Sequence, residues 1–220
     1  MLVPRSLLTR FIAAACAAAS LVASAQEPSP NTQLLAAARA GDSAGIALAI
    51  ANGATPNARN RIGETPLVIV LKAGRPEVAR QMIDAGADVN LAAANGITPL
   101  MAAAYGGHTE IARLLLAKGA ALDPVDRLQK NAMTYAAGQG SAEIVRLLLG
   151  AGIDPNNAYA HSLTALMWAA GYGHTDTVKV LLAAGARTDL KDDRGKTALD
   201  IAREENFAET VKLLEAGTKM

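Results

Sequence analysis

Cysteine is almost absent from this 220-residue chain: Cys16 is the only one, which excludes an intramolecular disulfide and every multi-cysteine zinc arrangement. Aromatic residues are scarce at 3%, so strands that rely on large cross-strand side chains are not expected. The chain also lacks an excess of either charge, with 21 basic and 20 acidic residues giving a formal +1. No basic field is available to recruit phosphate backbones or anionic lipid, so nucleic acid is not an expected partner. Catalytic signatures are missing too. There is no H-E-x-x-H, no G-x-x-x-x-G-K-[ST] and no G-x-S-x-G, the motifs of metal proteolysis, P-loop phosphate binding and serine-esterase chemistry. Asp192-Asp193-Arg194-Gly195 lacks the alternating oxygen ligands and distal Glu of an EF-hand and reads as a turn. Glu204 and Glu205 are adjacent on a helix, about 100° apart, a poor arrangement for shared acid/base work. No catalytic residue, metal or cofactor is expected, and no enzymatic activity.

What is abundant is small and aliphatic. Hydrophobic residues make up 51%, mostly Ala, Leu, Ile and Val, a mix that favours closely packed helices. An all-α fold follows.

Residues 1–25 read as an address. Arg5 and Arg10 precede an apolar run from Phe11 to Ala23, and Ala23-Ser24-Ala25 is a small-residue cleavage site ahead of Gln26. That order is a secretory signal peptide, with cleavage expected after Ala25. The apolar run falls short of the ~20 residues that span a bilayer, so membrane insertion after cleavage is not expected. Ala13-Ala14-Ala15-Cys16 loosely matches a lipid-attachment box, which leaves a lipid anchor as the alternative. Cleavage would remove Cys16 and two of the 21 basic residues, leaving 19 against 20 acidic ones. A chain with no thiol cannot form wrong disulfides, which suits an oxidising compartment.

The rest of the chain repeats itself every 33 residues. Thr65-Pro66-Leu67 recurs as Thr98-Pro99-Leu100, Asn131-Ala132-Met133, Thr164-Ala165-Leu166 and Thr197-Ala198-Leu199, and the register extends back to Thr32-Gln33-Leu34. A second marker keeps the same step: Gly53, Gly86, Gly119, Gly152 and Gly185. Thr98 can cap a helix whose first residue is Pro99, where the missing N–H costs nothing. Gly107 is placed to end that helix in a left-handed conformation. Ile111, Leu114 and Leu115 give a second helix its apolar stripe, and Gly119 stops it. Inner helices bury alanines and approach closely, while outer helices bury leucines worth about 1.5–3 kcal/mol each. Six units are counted, beginning near 32, 65, 98, 131, 164 and 197, within a domain spanning 32–217 after a short linker, 26–31, and before a tail, 218–220. Polar residues of the last unit, Asp200, Arg203, Glu204, Glu205 and Glu215, and the atypical first unit with Ser43-Ala44-Gly45 read as solvent-facing end caps.

The third unit runs Gly96-Ile97-Thr98-Pro99-Leu100-Met101-Ala102-Ala103-Ala104, then Gly107-His108-Thr109-Glu110-Ile111-Ala112-Arg113-Leu114-Leu115-Leu116. These segments resemble the G-x-T-P-L-H-x-A-A and G-H-x-E-I-V-x-x-L-L signatures of the ankyrin repeat, and the likeness covers roughly Thr32 to Gly217. The resemblance implies a solenoid of helix-turn-helix units with β-turn tips, acting in protein recognition. It also implies that His108 and His174 are structural, bonding backbone groups around the turn between helices. Recognition in such arrays uses the turn tips and the concave face of the inner helices, which here points to Arg61, Ile62, Asn95, Ile97, Arg127, Leu128, His161, Leu163 and Arg194 at the tips and Tyr105, Gln139 and Tyr172 on the helices. Ile62, Ile97, Leu128 and Leu163 either await a partner or pack tip against tip. Tyr105 and Tyr172 are of a residue type enriched in binding hot spots, with packing on the next helix as the alternative. Trp168 is read as a core residue, and Met101, Met133 and Met167 as fillers between units. A monomeric protein-binding scaffold exported to the periplasm of a bacterium is the reading these observations support; a secreted effector that binds a host protein is the alternative.

Overall fold

The computed structural model describes residues 28–217; the expected signal peptide, Cys16 and the tail 218–220 lie outside them. Among the described residues there are twelve α-helices and no strand. They are α1 (Pro30–Ala40), α2 (Ser43–Ala51), α3 (Pro66–Lys72), α4 (Pro76–Asp84), α5 (Pro99–Tyr105), α6 (Thr109–Ala117), α7 (Ala132–Gly138), α8 (Ala142–Gly150), α9 (Ala165–Gly171), α10 (Thr175–Ala183), α11 (Ala198–Glu204) and α12 (Ala208–Gly217). Odd-numbered helices pack on the next odd-numbered one, even on even from α4 onward, and each odd helix on the even helix after it, while α2 meets α4 through Ser43 and Gln81. The result is two parallel layers, an inner and an outer, joined pair by pair.

Local chemistry sets the length of each helix. The hydroxyls of Thr65, Thr98, Thr164 and Thr197 accept from the backbone N–H three residues on, and Asn131 does the same with its amide oxygen. These bonds satisfy N–H groups that a helix start leaves unpaired. In α5 and α9 the N–H of the capping Thr also points at the sulfur of Met101 and Met167, both at 3.5 Å. In α11 Asp200 takes that place, accepting from Thr197 N–H at 3.0 Å and Oγ1 at 2.7 Å, the full reciprocal box. These two methionines therefore do more than fill gaps; Met133, equally buried, stands one position earlier in its unit.

Seven-residue inner helices end at the left-handed Gly74, Gly107, Gly140 and Gly173, and α11 ends at Asn206 with φ 61°. Asn tolerates that conformation better than most side chains. The first unit departs from the register. Its inner helix starts at Pro30 with Ser29 as cap, three residues before the expected cap Thr32, whose own N–H donates to Ser29 Oγ at 3.3 Å. Among the described residues no tip precedes α1, and Ser29-Pro30 supplies the cap and first residue of its helix.

The core is continuous from Leu34 to Leu214. Ala103, Ala104, Ala136, Ala137, Ala169 and Ala170 line the inner layer and Ile111, Leu115, Ile144, Leu148, Val178 and Leu181 the outer one, all at most 2% exposed. His108 and His174 reach back across the unit boundary. Their Nε2 atoms lie 3.2 Å from the Leu71 carbonyl and 3.0 Å from the Gly138 carbonyl, at the ends of the preceding inner helices. They thus serve carbonyls that a short helix cannot pair internally. Polar ends close the stack, as the Arg203–Glu215 ion pair at 2.7 Å shows.

Gly119 stops α6 with φ 82°, and a Cβ added there would meet nothing within 4 Å. Only backbone strain then opposes a side chain, so Gly119→Val is expected to cost about 1–2 kcal/mol. Urea unfolding checks this: the midpoint should drop, and an unmoved midpoint would show that the left-handed turn is not required.

Candidate protein-binding surface

Five tips precede the inner helices α3 to α11, at residues 60–64, 93–97, 126–130, 159–163 and 192–196. Each is closed by a bond from its first N–H to its fifth carbonyl, 2.8 to 3.0 Å long. In three of them an acidic or amide side chain at the first position grips the loop from inside. Asn60 Oδ1 accepts from Ile62 and Glu64, Asp126 Oδ1 from Leu128 and Lys130, and Asp192 Oδ1 from Arg194 and Lys196. In these three tips the third residue is exposed and the fifth half-buried. Ile62 and Leu128 stand third and are 69% and 64% exposed, whereas Ile97 and Leu163 stand fifth, are half-buried and pack on the core. The two readings left open for these four residues thus divide between them: Ile62 and Leu128 are bare, and Ile97 and Leu163 are packed.

Backbone bonds tie neighbouring tips together: Ala94 donates to Gly63, Arg127 to Asn95 and Asp193 to His161. Gly63 and Gly96 permit this closeness, since a Cβ would come within 2.4 Å of Ala94 Cβ and 2.9 Å of Asp126 Cα. In the third tip the corresponding left-handed residue is Gln129. Among the described residues no backbone bond joins the third tip to the fourth. That seam is crossed by Asn131 Nδ2, which donates to Tyr159 Oη at 2.8 Å. The fourth tip is unusual in placing both His161 and Ser162 at positive φ. His161 is almost fully exposed, its Nδ1 3.6 Å from Asp193 Oδ2, and Ser162 Oγ donates to the same Asp193 carboxylate.

Behind the tips, the inner helices and their C-caps present their fifth, eighth and ninth positions to the concave face. Tyr105 and Tyr172 are 56% exposed. Tyr135, the fifth-position residue of the fourth unit, was not singled out from sequence. Its ring meets Tyr105 edge-on at 5.8 Å, and its hydroxyl donates to buried Asp126 Oδ2 at 2.5 Å. Burial pushes that hydroxyl upward in pKa, and the accepting carboxylate pushes it further. Trp168 is correspondingly placed one unit on. Its ring stacks on Tyr172 at 6.1 Å and lies under the Lys130 ammonium at 4.3 Å, a cation–π contact. It is half-buried, so it belongs to this face as well as to the core. The signal that would have found both aromatics is the unit register itself.

Two clefts flank this aromatic ridge. One, of about 280 Å³, is lined by Lys72, Ile97, Met101, Ala102, Tyr105 and Tyr135. The other, of about 370 Å³, includes Trp168, Tyr172, Arg194, Ile201, Glu205 and Phe207. Concave-face ion pairs bracket them with reversed polarity: Lys72 holds Glu64 at 2.6 Å, and four units later Lys196 pairs with Glu204. Burial pushes the Glu64 carboxyl up, but hydrogen bonds from Lys72 and Asn60 outweigh it and keep the group below its usual range.

The remaining expected residues are scattered along the same rim. Arg61, Arg127 and Gln139 are exposed. Asn95 is half-buried, and its carbonyl and side chain serve the tip backbone. Arg194 is committed to Asp192, with Nε and Nη2 at 2.9 and 2.7 Å from Oδ2.

Two of these contacts make testable claims. Tyr135→Phe removes the only hydrogen bond to Asp126 Oδ2 among the described residues and should cost about 1–3 kcal/mol in urea unfolding; a change below 0.5 would deny that the bond holds the third tip. For Asp192, burial pushes the carboxyl up, yet the N–H groups of Lys196 and Arg194 and the Arg194 guanidinium hold it below the usual aspartate range. Such a carboxyl stabilises the fold above its unfolded pKa and ceases to do so as pH falls through the folded one. The urea midpoint should decline below about pH 4, and less steeply in Asp192→Asn; identical declines would rule the contact out as a source of acid sensitivity.

No helix among the described residues is long and apolar enough to cross a membrane. No curated protein matches the chain. A family described as ankyrin repeats (3 copies) matches it three times, over residues 34–126, 76–159 and 155–220. Together with the paired helices, the threonine-capped inner layer and the turn tips, these matches place the chain in the ankyrin-repeat family.

Proposed function

We propose that the chain is a non-enzymatic, six-repeat ankyrin scaffold, exported across a bacterial inner membrane by cleavage after Ala25, that holds a protein partner on its concave face in the periplasm. Ankyrin repeats generally mediate protein–protein interaction, and export is supported by the charged, apolar and small-residue order of residues 1–25. The observation that carries the proposed surface is the aromatic ridge. Four large rings, Tyr105, Tyr135, Trp168 and Tyr172, lie in succession on one face, the outer two more than half exposed, with a cleft on each side. Aromatic anchors beside concave pockets are where binding energy concentrates.

The protein would act by presentation alone. Tyr105 and Tyr172 offer rigid apolar area with a hydroxyl at the edge, so little side-chain entropy is lost on contact. Asp126 fixes Tyr135, and Lys130 fixes Trp168, so the surface between them is set before a partner arrives.

Capture from a periplasmic extract tests this reading. The mature chain should retain a defined partner that Tyr105→Ala/Tyr172→Ala recovers at least tenfold less well; equal recovery by both would remove the surface. Fractionation with N-terminal sequencing should give a mature form starting at Gln26, and an intact Met1 terminus on a cytoplasmic protein would end the export reading.

A further inference from the structure

The concave face has a third groove, of about 480 Å³, between α1 and the first tip, lined by Leu35, Ala36, Arg39, Arg59, Arg61 and Ile62 among others. Its charge sets it apart from the two aromatic clefts. Three guanidinium groups line it and no carboxylate does, in a chain whose charges otherwise balance. Glu64, which feels the Arg39 charge, is hydrogen-bonded by Lys72 and Asn60 and is not part of the lining. By contrast the cleft beside Trp168 contains Arg194 and Glu205 together.

The backbone is also incomplete here. Where tips are joined, the second residue of the later tip donates its N–H to the tip before it: Ala94 to Gly63, Arg127 to Asn95, Asp193 to His161. Arg61 holds that position in the first tip. Among the described residues no tip precedes it, for Ser29 caps α1 and Pro30 begins it. Among the described residues the Arg61 N–H donates to nothing, and Ile62 beside it is largely bare.

We infer that this groove takes an extended, acidic segment of the partner, added to the open end of the tip ladder. A partner carbonyl accepts from Arg61 N–H, as the missing tip's would. Its carboxylates meet Arg39, Arg59 and Arg61, and an apolar side chain between them covers Ile62, since alternate residues of an extended segment face opposite ways. The protein's own residues 1–27 do not supply this chemistry, for they carry Arg5 and Arg10 against the single acid Glu27. The inference rests on the scaffold reading and gives that scaffold's partner a chemical class.

The test is a backbone-amide NMR titration of the mature chain with a heptapeptide alternating aspartate and leucine, and with its lysine-for-aspartate counterpart. The acidic peptide should shift amides within 35–39 and 59–63, Arg61 most of all. R39E/R61E should weaken binding at least tenfold while keeping the wild-type thermal unfolding curve, and added salt should weaken it in the wild type. Equal binding of the lysine peptide, shifts confined to the Tyr105 or Trp168 clefts, or an unaffected double variant would each overturn the inference. So would self-association of the wild type that R39E/R61E abolishes in sedimentation, because the occupant would then be a second copy. Periplasmic capture separates this from the wider reading: a partner lost by the Tyr105/Tyr172 variant but kept by R39E/R61E overturns the groove alone.

Discussion

A helix of seven residues cannot hold itself together in water, because nucleation is costly and few hydrogen bonds follow it. All five inner helices from α3 to α11 are of that length, so each exists only while its buried face lies on its neighbours. This dependence explains the composition. From α5 onward alanine lets the inner layer close up, while leucine, isoleucine and valine give the outer layer its buried bulk. It also explains why side chains reach across units rather than within them. His108 and His174 complete the ends of preceding helices, and Asn90 and Asn156 each link one connecting loop to the next, at Ala121 and Arg187.

The binding face grows out of the same constraint. Because first-layer helices must touch through small residues, bulk can appear only at positions directed away from the contact, and there it is exposed on the concave side. Tyr105, Tyr135, Trp168 and Tyr172 occupy such positions in three adjacent units. Glycine at the eighth position of the fourth unit, Gly138, leaves room into which Trp168 and Tyr172 lean, at 3.7 and 3.8 Å from where a Cβ would be. A recognition surface is therefore written into residues the stack does not need.

Most of the fold was legible because its rules are local and recur at a fixed step. Thr98 before Pro99, the left-handed Gly107 and Gly119, and the histidines of the third and fifth units all lie where spacing put them. What escaped depends on how one unit sits against another. Ile62 and Ile97 look alike in sequence, yet a difference of two positions within a curled tip leaves one bare and covers the other. Trp168 reads as core by its hydrophobicity, and only the neighbouring Lys130 and Tyr172 reveal its outward edge. Arg39, Arg59 and Arg61 come from a helix and a loop twenty residues apart, so no window along the chain shows them as a group. The start of α1 was misplaced because periodicity was extended into a unit that no tip precedes among the described residues.

The missing backbone link between the third and fourth tips has a mechanical meaning. The first three tips are laced to one another, and so are the last two, but side chains alone span the gap, through Asn131 and Tyr159 and through Lys130 resting on Trp168. Flexing the solenoid there breaks no main-chain bond, whereas flexing it elsewhere along the rim does. Among the described residues, the one tip-to-tip seam without a main-chain bond thus falls at the middle of the aromatic ridge, where side chains alone set the spacing of the tips.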